Sequence, residues 1–141
     1  MKPDSPRPRG PSADLVATIA AGGVVGSLGR YAVGLAAPRP AGGWPTATFL
    51  VNVTGAFAMG LLVAYLVSRS DPHRLLRPFV GVGVLGGWTT YSSFAVDVVH
   101  LGHEGYPGMA VTYVVGTFVL GVLAVAAAMA VGSRWWPVES P

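Results

Sequence analysis

The residues with the clearest capacity for chemistry lie in the run GGWTTYSSF at positions 86–94. Two adjacent glycines each weaken a helix by about 1 kcal/mol relative to alanine, and serine and threonine hydroxyls follow them inside a long apolar stretch. One interpretation is close helix packing, with the hydroxyls bonded back to the helix backbone. The other is a discontinuous helix, broken near Gly86–Gly87, whose freed carbonyls coordinate a cation while the hydroxyls beyond line a path.

Two further polar side chains lie within apolar stretches of the chain. Asn52, in TATFLVNVTGAF, needs hydrogen-bond partners there. Either it bonds to a neighbouring helix, an interaction worth about 1 kcal/mol, or its NH₂ group is offered to an anion. Arg30, at the end of GGVVGSLGRY, either extends its guanidinium to the membrane interface or forms a vestibule that attracts anions.

The chemistry that the chain lacks narrows its class. Cysteine is absent, which excludes disulfides, thiolate metal sites and a cysteine nucleophile. No nucleophile–base pair and no phosphate-binding loop is visible, so we expect no enzyme activity. The nine Lys and Arg residues are scattered and form no basic face with interleaved aromatic residues, so we expect no nucleic-acid partner.

Composition places these polar residues in a membrane domain. Hydrophobic residues make up 52% of the 141 residues and charged residues 11%, against about 25% charged residues in ordinary globular domains. A small soluble domain needs more polar surface than this, so we expect lipid to cover much of it. Four apolar stretches each reach the roughly 20 residues that cross a bilayer, and the lack of water there requires them to be helices. They run over about residues 15–37, 46–67, 78–99 and 107–132.

The predicted organisation is an all-α integral membrane domain over residues 13–134, with four transmembrane helices and a break in the third. Residues 1–12 are rich in proline and charge and are predicted to form a disordered tail. Residues 135–141 are predicted to form a C-terminal tail, which begins with Trp135–Trp136 as an interfacial anchor.

The distribution of basic residues predicts the orientation. An even number of spans puts both termini and the central loop on one side of the membrane. That side carries seven basic residues and the other carries two, so the positive-inside rule assigns both termini to the cytoplasm. The seven are Lys2, Arg7, Arg9, Arg69, Arg74, Arg77 and Arg134, and the two are Arg30 and Arg39. The expected location is the plasma membrane, which is the cell inner membrane in many bacteria.

Three motifs carry a resemblance to a known family. The run GGWTTYSSF resembles the GG-F/L-TTFSTF signature of the CrcB/Fluc family of fluoride channels. TATFLVNVTGAF resembles that family's GT-x-x-x-N-x-x-G segment, and GGVVGSLGRY resembles its G-x-x-G-x-x-x-R-Y/F opening. The motifs occur in the family's order, over about residues 18–130. The resemblance implies a channel that exports fluoride passively and reduces its toxicity, built as an antiparallel dimer of dual topology with two pores and a central structural Na⁺.

The resemblance also implies roles for eight residues. The sodium-binding backbone carbonyls correspond to Gly86 and Thr89, the pore asparagine to Asn52, the pore phenylalanines to Tyr91 and Phe94, the polar track to Ser93 and Thr117, and the vestibule arginine to Arg30. Fluoride holds its water tightly, so a selective pore must replace that shell with amide, hydroxyl and aromatic-edge hydrogens. Tyr91 departs from the family's phenylalanine, and Gly121 stands where a second serine of the fourth span is expected.

The charge bias also bears on the dimer. A homodimer whose subunits insert in both orientations should have a bias near zero, whereas this chain has seven basic residues against two. Some members of the family are encoded as pairs whose subunits insert oppositely. We therefore hypothesise a fixed orientation and an antiparallel paralogous partner.

Two other classes are alternatives to a fluoride channel. A small four-helix multidrug exporter requires a membrane-embedded carboxylate in its first span, where this chain has Arg30. A non-transporting membrane assembly protein would leave Asn52 and the hydroxyls of the 86–94 run without a task. Neither alternative uses the polar residues as a fluoride channel does.

Overall fold

The structure is a computed structural model that describes residues 12–137. The predicted tails lie largely outside these residues: only Ser12 of the first tail and residues 135–137 of the second are described. Within the described range every regular element is helical and no strand occurs. The predicted all-α class is confirmed.

Three of the helices are long and apolar enough to cross a bilayer, so the chain is a multi-pass membrane protein. In chain order the elements are α1 (Ala13–Ala36), α2 (Thr46–Ser68), a π-helical segment (Arg77–Val84), α3 (Leu85–Trp88), α4 (Tyr91–His103) and α5 (Pro107–Trp135). The three long helices are α1, α2 and α5. They correspond to the first, second and fourth predicted spans, and their ends differ from the predicted ends by three residues or fewer.

The third apolar stretch is divided into the π-helical segment, α3 and α4. Thr89 and Thr90, between α3 and α4, have extended backbone, with φ −80°, ψ 157° and φ −151°, ψ 120°. The pair Gly86–Gly87, near which the sequence predicts a break, lies inside α3 instead. Gly87 serves close packing there, because a Cβ on it would lie 2.6 Å from the carbonyl oxygen of Gly23 in α1. The non-helical backbone therefore falls on the threonines that follow the glycines.

Helix α1 packs against the third apolar stretch with backbone against backbone. A Cβ on Gly22 would clash with the carbonyl oxygen of Phe79, and a Cβ on Gly26 with that of Val84. Both glycines are buried and lie four residues apart, on one face of α1. This small-residue face brings α1 close enough to reach α3 with its side chains, as small residues do in other membrane helix pairs.

Helices α2 and α5 run in the same direction. Near their first residues the rings of Trp44 and Tyr113 meet edge to face, with centroids 5.5 Å apart. Near their last residues the rings of Tyr65 and Trp136 do the same at 5.3 Å. Contacts at both ends fix the register of the pair along its length.

The connections meet at two opposite ends of the bundle. Asp14, at the start of α1, forms an ion pair with Arg74 in the connection after α2. Arg39, in the α1–α2 connection, lies 2.5 Å from Glu104 in the α4–α5 connection. The two described ends of the chain therefore share one end of the bundle with the connection after α2.

We expect Gly26→Ala to lower the free energy of unfolding by about 1–3 kcal/mol, because the added methyl overpacks the contact between α1 and the third stretch. Gly34→Ala is the matched control: it adds the same methyl to α1 where no atom outside the helix lies within 4 Å. Its helix propensity should leave stability unchanged or raise it by up to about 1 kcal/mol. Thermal unfolding in detergent measures both, and equal stabilities would contradict the packing argument.

Candidate functional site

The extended residues between α3 and α4 need hydrogen-bond partners that a helix would otherwise supply. The N–H of Thr90 donates to Oδ1 of Asn52 at 2.8 Å, and Nδ2 of Asn52 donates to the carbonyl of Thr90 at 3.0 Å. The carboxamide of α2 thus pairs with Thr90 as a second peptide group would. Leaving either backbone group buried without a partner would cost about 1–3 kcal/mol. Asn52 therefore bonds to a neighbouring element, which is the first of the two predicted alternatives.

The hydroxyl of Thr90 caps the N-terminus of helix α4. It accepts the N–H of Ser93 at 3.1 Å and lies 3.1 Å from the Ser93 hydroxyl and 3.2 Å from that of Ser92. A threonine in this N-cap position satisfies one of the first backbone N–H groups of the helix. Three hydroxyls therefore surround the start of α4, where the helix dipole favours negative charge.

Two of these hydrogen bonds, the ones donated by the N–H groups of Thr90 and Ser93, leave two backbone carbonyls without their helical donors. In a continuous helix the N–H of Thr90 would donate to Gly86, and the N–H of Ser93 would donate to Thr89. Instead they donate to Asn52 Oδ1 and Thr90 Oγ1. Neutral carbonyl oxygens that have lost a helical donor are suitable ligands for a hard cation such as Na⁺. The donor set of Gly86 and Thr89 thus fits the predicted ion.

The last turn of α3 is held by side chains from α1 and α2. Nε of Arg30 donates to the carbonyl of Gly87 at 2.9 Å. The indole N–H of Trp88 donates to the Thr54 hydroxyl at 3.0 Å. Arg30 therefore binds α3 directly, a contact that neither sequence interpretation of this arginine included.

A cavity of about 390 Å³ lies beside the interrupted stretch. Six of the eight predicted site residues line it: Asn52, Gly86, Thr89, Tyr91, Phe94 and Thr117. We call it the Asn52 cavity. The structure thus brings together the predicted pore asparagine, both aromatic positions, both predicted sodium-binding residues and Thr117 of the predicted polar track, although their chain positions run from 52 to 117.

A second cavity, of about 410 Å³, lies on the other side of the start of α4. Arg30 and Ser93 line it, with the hydroxyl residues Ser27 and Thr48, and Thr90 lines both cavities. We call it the Arg30 cavity. The two residues of the predicted polar track are therefore separated, with Ser93 in the Arg30 cavity and Thr117 in the Asn52 cavity. The hydroxyl of Thr117 donates to its own helix, at 2.7 Å from the carbonyl of Tyr113.

The aromatic residues of the Asn52 cavity differ in burial. Phe94 is buried and packs on the ring of Tyr113 at 5.2 Å and edge to face with Phe118 at 5.9 Å. Tyr91 is 77% exposed in the chain, with its centroid 6.0 Å from that of Phe94. The hydroxyl that distinguishes Tyr91 from phenylalanine is thus not forced into the protein core.

Two residues of the site were missed by the sequence reasoning as functional candidates. Tyr113 is fully buried, contacts Phe94 and donates its hydroxyl to Asp97 at 3.4 Å. The sequence signal for Tyr113 is its spacing from Thr117, because residues four apart lie on one face of a helix. Trp88 was read only as part of the motif, although an indole N–H inside an apolar stretch needs an acceptor.

These features define a class: a helical membrane protein with polar groups gathered where one helical stretch is interrupted. Residues 17–129 match the family model described as CrcB-like protein, Camphor Resistance (CrcB). The chain belongs to this family, as its three sequence motifs predict.

Curated relatives agree with the family assignment. The chain is 45% identical over 114 residues to "Fluoride-specific ion channel FluC" of Paracoccus denitrificans, covering 81% of this chain and 90% of that protein. It is 42% identical over 118 residues to "Fluoride-specific ion channel FluC 3" of Streptomyces avermitilis, covering 84% of this chain. It is 44% identical over 105 residues to "Fluoride-specific ion channel FluC 2" of that organism, covering 74% of this chain. The chain spans 58% and 66% of the length of the two Streptomyces proteins.

We expect Asn52→Leu to lower the free energy of unfolding, by about 1–3 kcal/mol for each Thr90 backbone group left unpaired. Thr112→Val is the control, because the hydroxyl of Thr112 is exposed and bonds only back to its own helix, at 3.1 Å from Gly108 and 3.0 Å from Met109. Thermal unfolding in detergent compares the two variants with the unaltered chain. A leucine variant as stable as the control would show that the carboxamide does not hold the extended residues.

Proposed function

We propose that this chain is a subunit of a fluoride-selective channel that lets fluoride leave the cell passively and so reduces its toxicity. The observation that carries the proposal is the Asn52 cavity, where an amide, a hydroxyl and aromatic rings meet at an interrupted helix. Relatives at 42–45% identity that bear the name fluoride-specific ion channel support it.

Neutral donors suit the chemistry of fluoride permeation. The side chains that line the Asn52 cavity in the described part of the chain carry no charge. Nδ2 of Asn52 has two hydrogens, and the bond to Thr90 uses one of them. The ring edge of Phe94 is electropositive. Such donors can replace part of the water shell of fluoride and still release the ion, whereas a fixed cation would hold it.

The proposed channel has four transmembrane helices, with the third formed by the π-helical segment, α3 and α4. Its proposed assembly is an antiparallel dimer with two pores. The exposure of Tyr91 and of Gly86 in the single chain supports a second subunit at the interrupted stretch. A two-fold axis would give each subunit the same contacts and would create the same path twice.

Sodium is the proposed structural ion of the dimer. The carbonyls of Gly86 and Thr89 would hold it, and it would supply positive charge that binds the interrupted stretches of the two subunits together. Two carbonyls from one chain are too few to replace the water shell of a cation, and a subunit related by a two-fold axis would raise their number to four. The proposed sodium site therefore depends on the proposed dimer.

The proposed orientation puts both termini in the cytoplasm of a cell bounded by its plasma membrane, with lipid around the apolar faces. The contacts of Asp14 with Arg74 and of Tyr65 with Trp136 support a common side for the two ends of the chain. Because the basic residues favour one orientation, the proposed partner is a paralogous subunit that inserts the opposite way.

Fluoride efflux from proteoliposomes tests the proposed function. The chain is reconstituted alone and together with a paralogous subunit of the same genome, and electrodes follow fluoride and chloride. We expect rapid loss of fluoride with retention of chloride, because the neutral donors match the smaller, more strongly hydrated ion. Equal permeation of both ions, or of neither in both preparations, would reject the channel. A stable dimer with full fluoride efflux from the chain alone would reject the paralogous partner.

Thr117→Val tests whether the Asn52 cavity lies on the fluoride path. The substitution removes a hydroxyl but keeps the side-chain shape. That hydroxyl donates its one hydrogen to the carbonyl of Tyr113, and we propose that the hydrogen turns to fluoride as the ion passes. Removing it costs one hydrogen bond worth about 1.4 kcal/mol, so fluoride efflux should fall by about tenfold. Thr112→Val removes an exposed hydroxyl of the same helix and should leave the rate unchanged. Unaltered efflux in the Thr117 variant would take this cavity wall off the path.

A further inference from the structure

A half-buried ion-pair cluster lies at the end of the bundle formed by the α1–α2 and α4–α5 connections. Arg39 lies 2.5 Å from Oε2 of Glu104 and 3.8 Å from Oδ1 of Asp97. Its Nε donates to the carbonyl of Gly43 at 2.9 Å, and the N–H of Gly42 donates to Glu104 at 3.0 Å. One guanidinium thus faces two carboxylates, that of Asp97 in α4 and that of Glu104, the residue that follows α4.

The burial of this cluster sets it apart from the ion pair at the opposite end. The side chains of Arg39 and Asp97 are each 17% exposed, whereas those of Arg74 and Asp14 are 73% and 42% exposed. Exposed pairs are screened by salt and contribute little, while partly buried charges are screened much less. The charge balance at Asp97 therefore acts on its surroundings far more than that at Asp14.

Asp97 is connected to the Asn52 cavity through one aromatic ring. It lies on α4 three residues after Phe94, so these two side chains are neighbours on one face of the helix. Tyr113 donates its hydroxyl to the Asp97 carboxylate at 3.4 Å and packs its ring on Phe94 at 5.2 Å. Three residues of helix span about 4.5 Å along its axis, so this carboxylate lies within about one turn of Phe94, which lines the Asn52 cavity.

We propose that Arg39 is the counterion that offsets the negative charge of Asp97 and so keeps this end of the bundle permeable to fluoride. The carbonyl of Gly43 positions the guanidinium. With Arg39, one positive charge faces the two negative charges of Asp97 and Glu104. Without it, both negative charges would stand unbalanced near the proposed path. This assignment rests on the proposed fluoride channel, and Arg39 acts through Asp97 rather than by touching the ion.

A structural role for Arg39 makes different predictions. If the guanidinium only anchors the α1–α2 connection, the important contacts are those with Gly43 and Glu104, and removing the charge of Asp97 would not compensate for losing Arg39. If it acts as a counterion, its positive charge matters more than its fork of donors, and Asp97→Asn removes the need for it. Lysine keeps the charge and loses the fork.

The test measures fluoride efflux from proteoliposomes at low ionic strength, where screening is weakest. Arg39→Gln should lower the rate at least about tenfold, because the carboxylates of Asp97 and Glu104 then stand unbalanced near the cavity and repel the ion. Arg39→Lys should retain most of the rate. The double variant Arg39→Gln/Asp97→Asn should return to within about threefold of the unaltered chain, an agreement that additive independent effects would not give. Arg74→Gln breaks the exposed pair at the other end and should change nothing.

Glu104→Gln keeps the proposal falsifiable if Arg39→Gln fails to fold. It removes one of the two negative charges that face Arg39 and leaves the guanidinium to pair with Asp97, so efflux should equal or exceed that of the unaltered chain. Equal losses in the Lys and Gln variants of Arg39, a double variant that is not rescued, or a Glu104→Gln variant as slow as Arg39→Gln would each overturn the counterion role. Failure of the channel itself appears separately, as absence of fluoride efflux from the unaltered chain.

Discussion

An extended peptide inside an apolar helical bundle needs a partner for its N–H and its C=O, because no water replaces a missing bond there. Thr90 meets this requirement through the carboxamide of Asn52, which both accepts and donates. The consequence extends beyond the two residues. By taking the N–H of Thr90, Asn52 frees the carbonyl of Gly86, and the Thr90 hydroxyl in turn frees that of Thr89. The side chains of Asn52 and Thr90 together thus leave two carbonyl oxygens of the interruption without helical donors.

The glycines of α1 make this arrangement possible at its other side. Gly22 and Gly26 let α1 approach the third stretch with no side chain between the backbones. At that distance Arg30 reaches the carbonyl of Gly87 and supplies the donor that the end of α3 lacks. A charged group near the core is thereby given a hydrogen-bond partner, which reduces the cost of its partial burial. In this bundle the hydrogen bond of Arg30 therefore depends on the close packing of α1.

The sequence predicted the candidate residues better than their contacts. Asn52, Arg30 and the hydroxyl run stand out because polar groups are rare in apolar stretches, and the long helices follow from the apolar lengths alone. The partners of Asn52 and Arg30 lie 38 and 57 residues away, and nothing in either motif specifies them.

The separation of Ser93 from Thr117 has a similar origin. Neighbouring residues of a helix point about 100° apart, so Ser93 and Phe94 face different cavities at the start of α4. A linear sequence motif does not show this rotation of side chains about the helix axis. The non-helical backbone begins at Thr89, two residues after Gly87, because the weak helix propensity of Gly86–Gly87 is offset by the close packing that Gly87 allows against α1.

The distribution of charge explains how an anion path could be both attractive and passable. In the described part of the chain, the Asn52 cavity is lined by neutral groups, while Arg30 lines the cavity on the other side of the start of α4. A guanidinium already bonded to a backbone carbonyl attracts anions over a distance without enclosing one. In the proposed channel, the neutral donors of the Asn52 cavity then bind the ion where it must also be released. At the end of the bundle formed by the α1–α2 connection, the proposed role of Arg39 is to offset the charge of Asp97, so that this carboxylate does not oppose the attraction of anions. The same logic explains why the cation is proposed for the backbone carbonyls of Gly86 and Thr89, where its positive charge would join the interrupted stretches of two subunits.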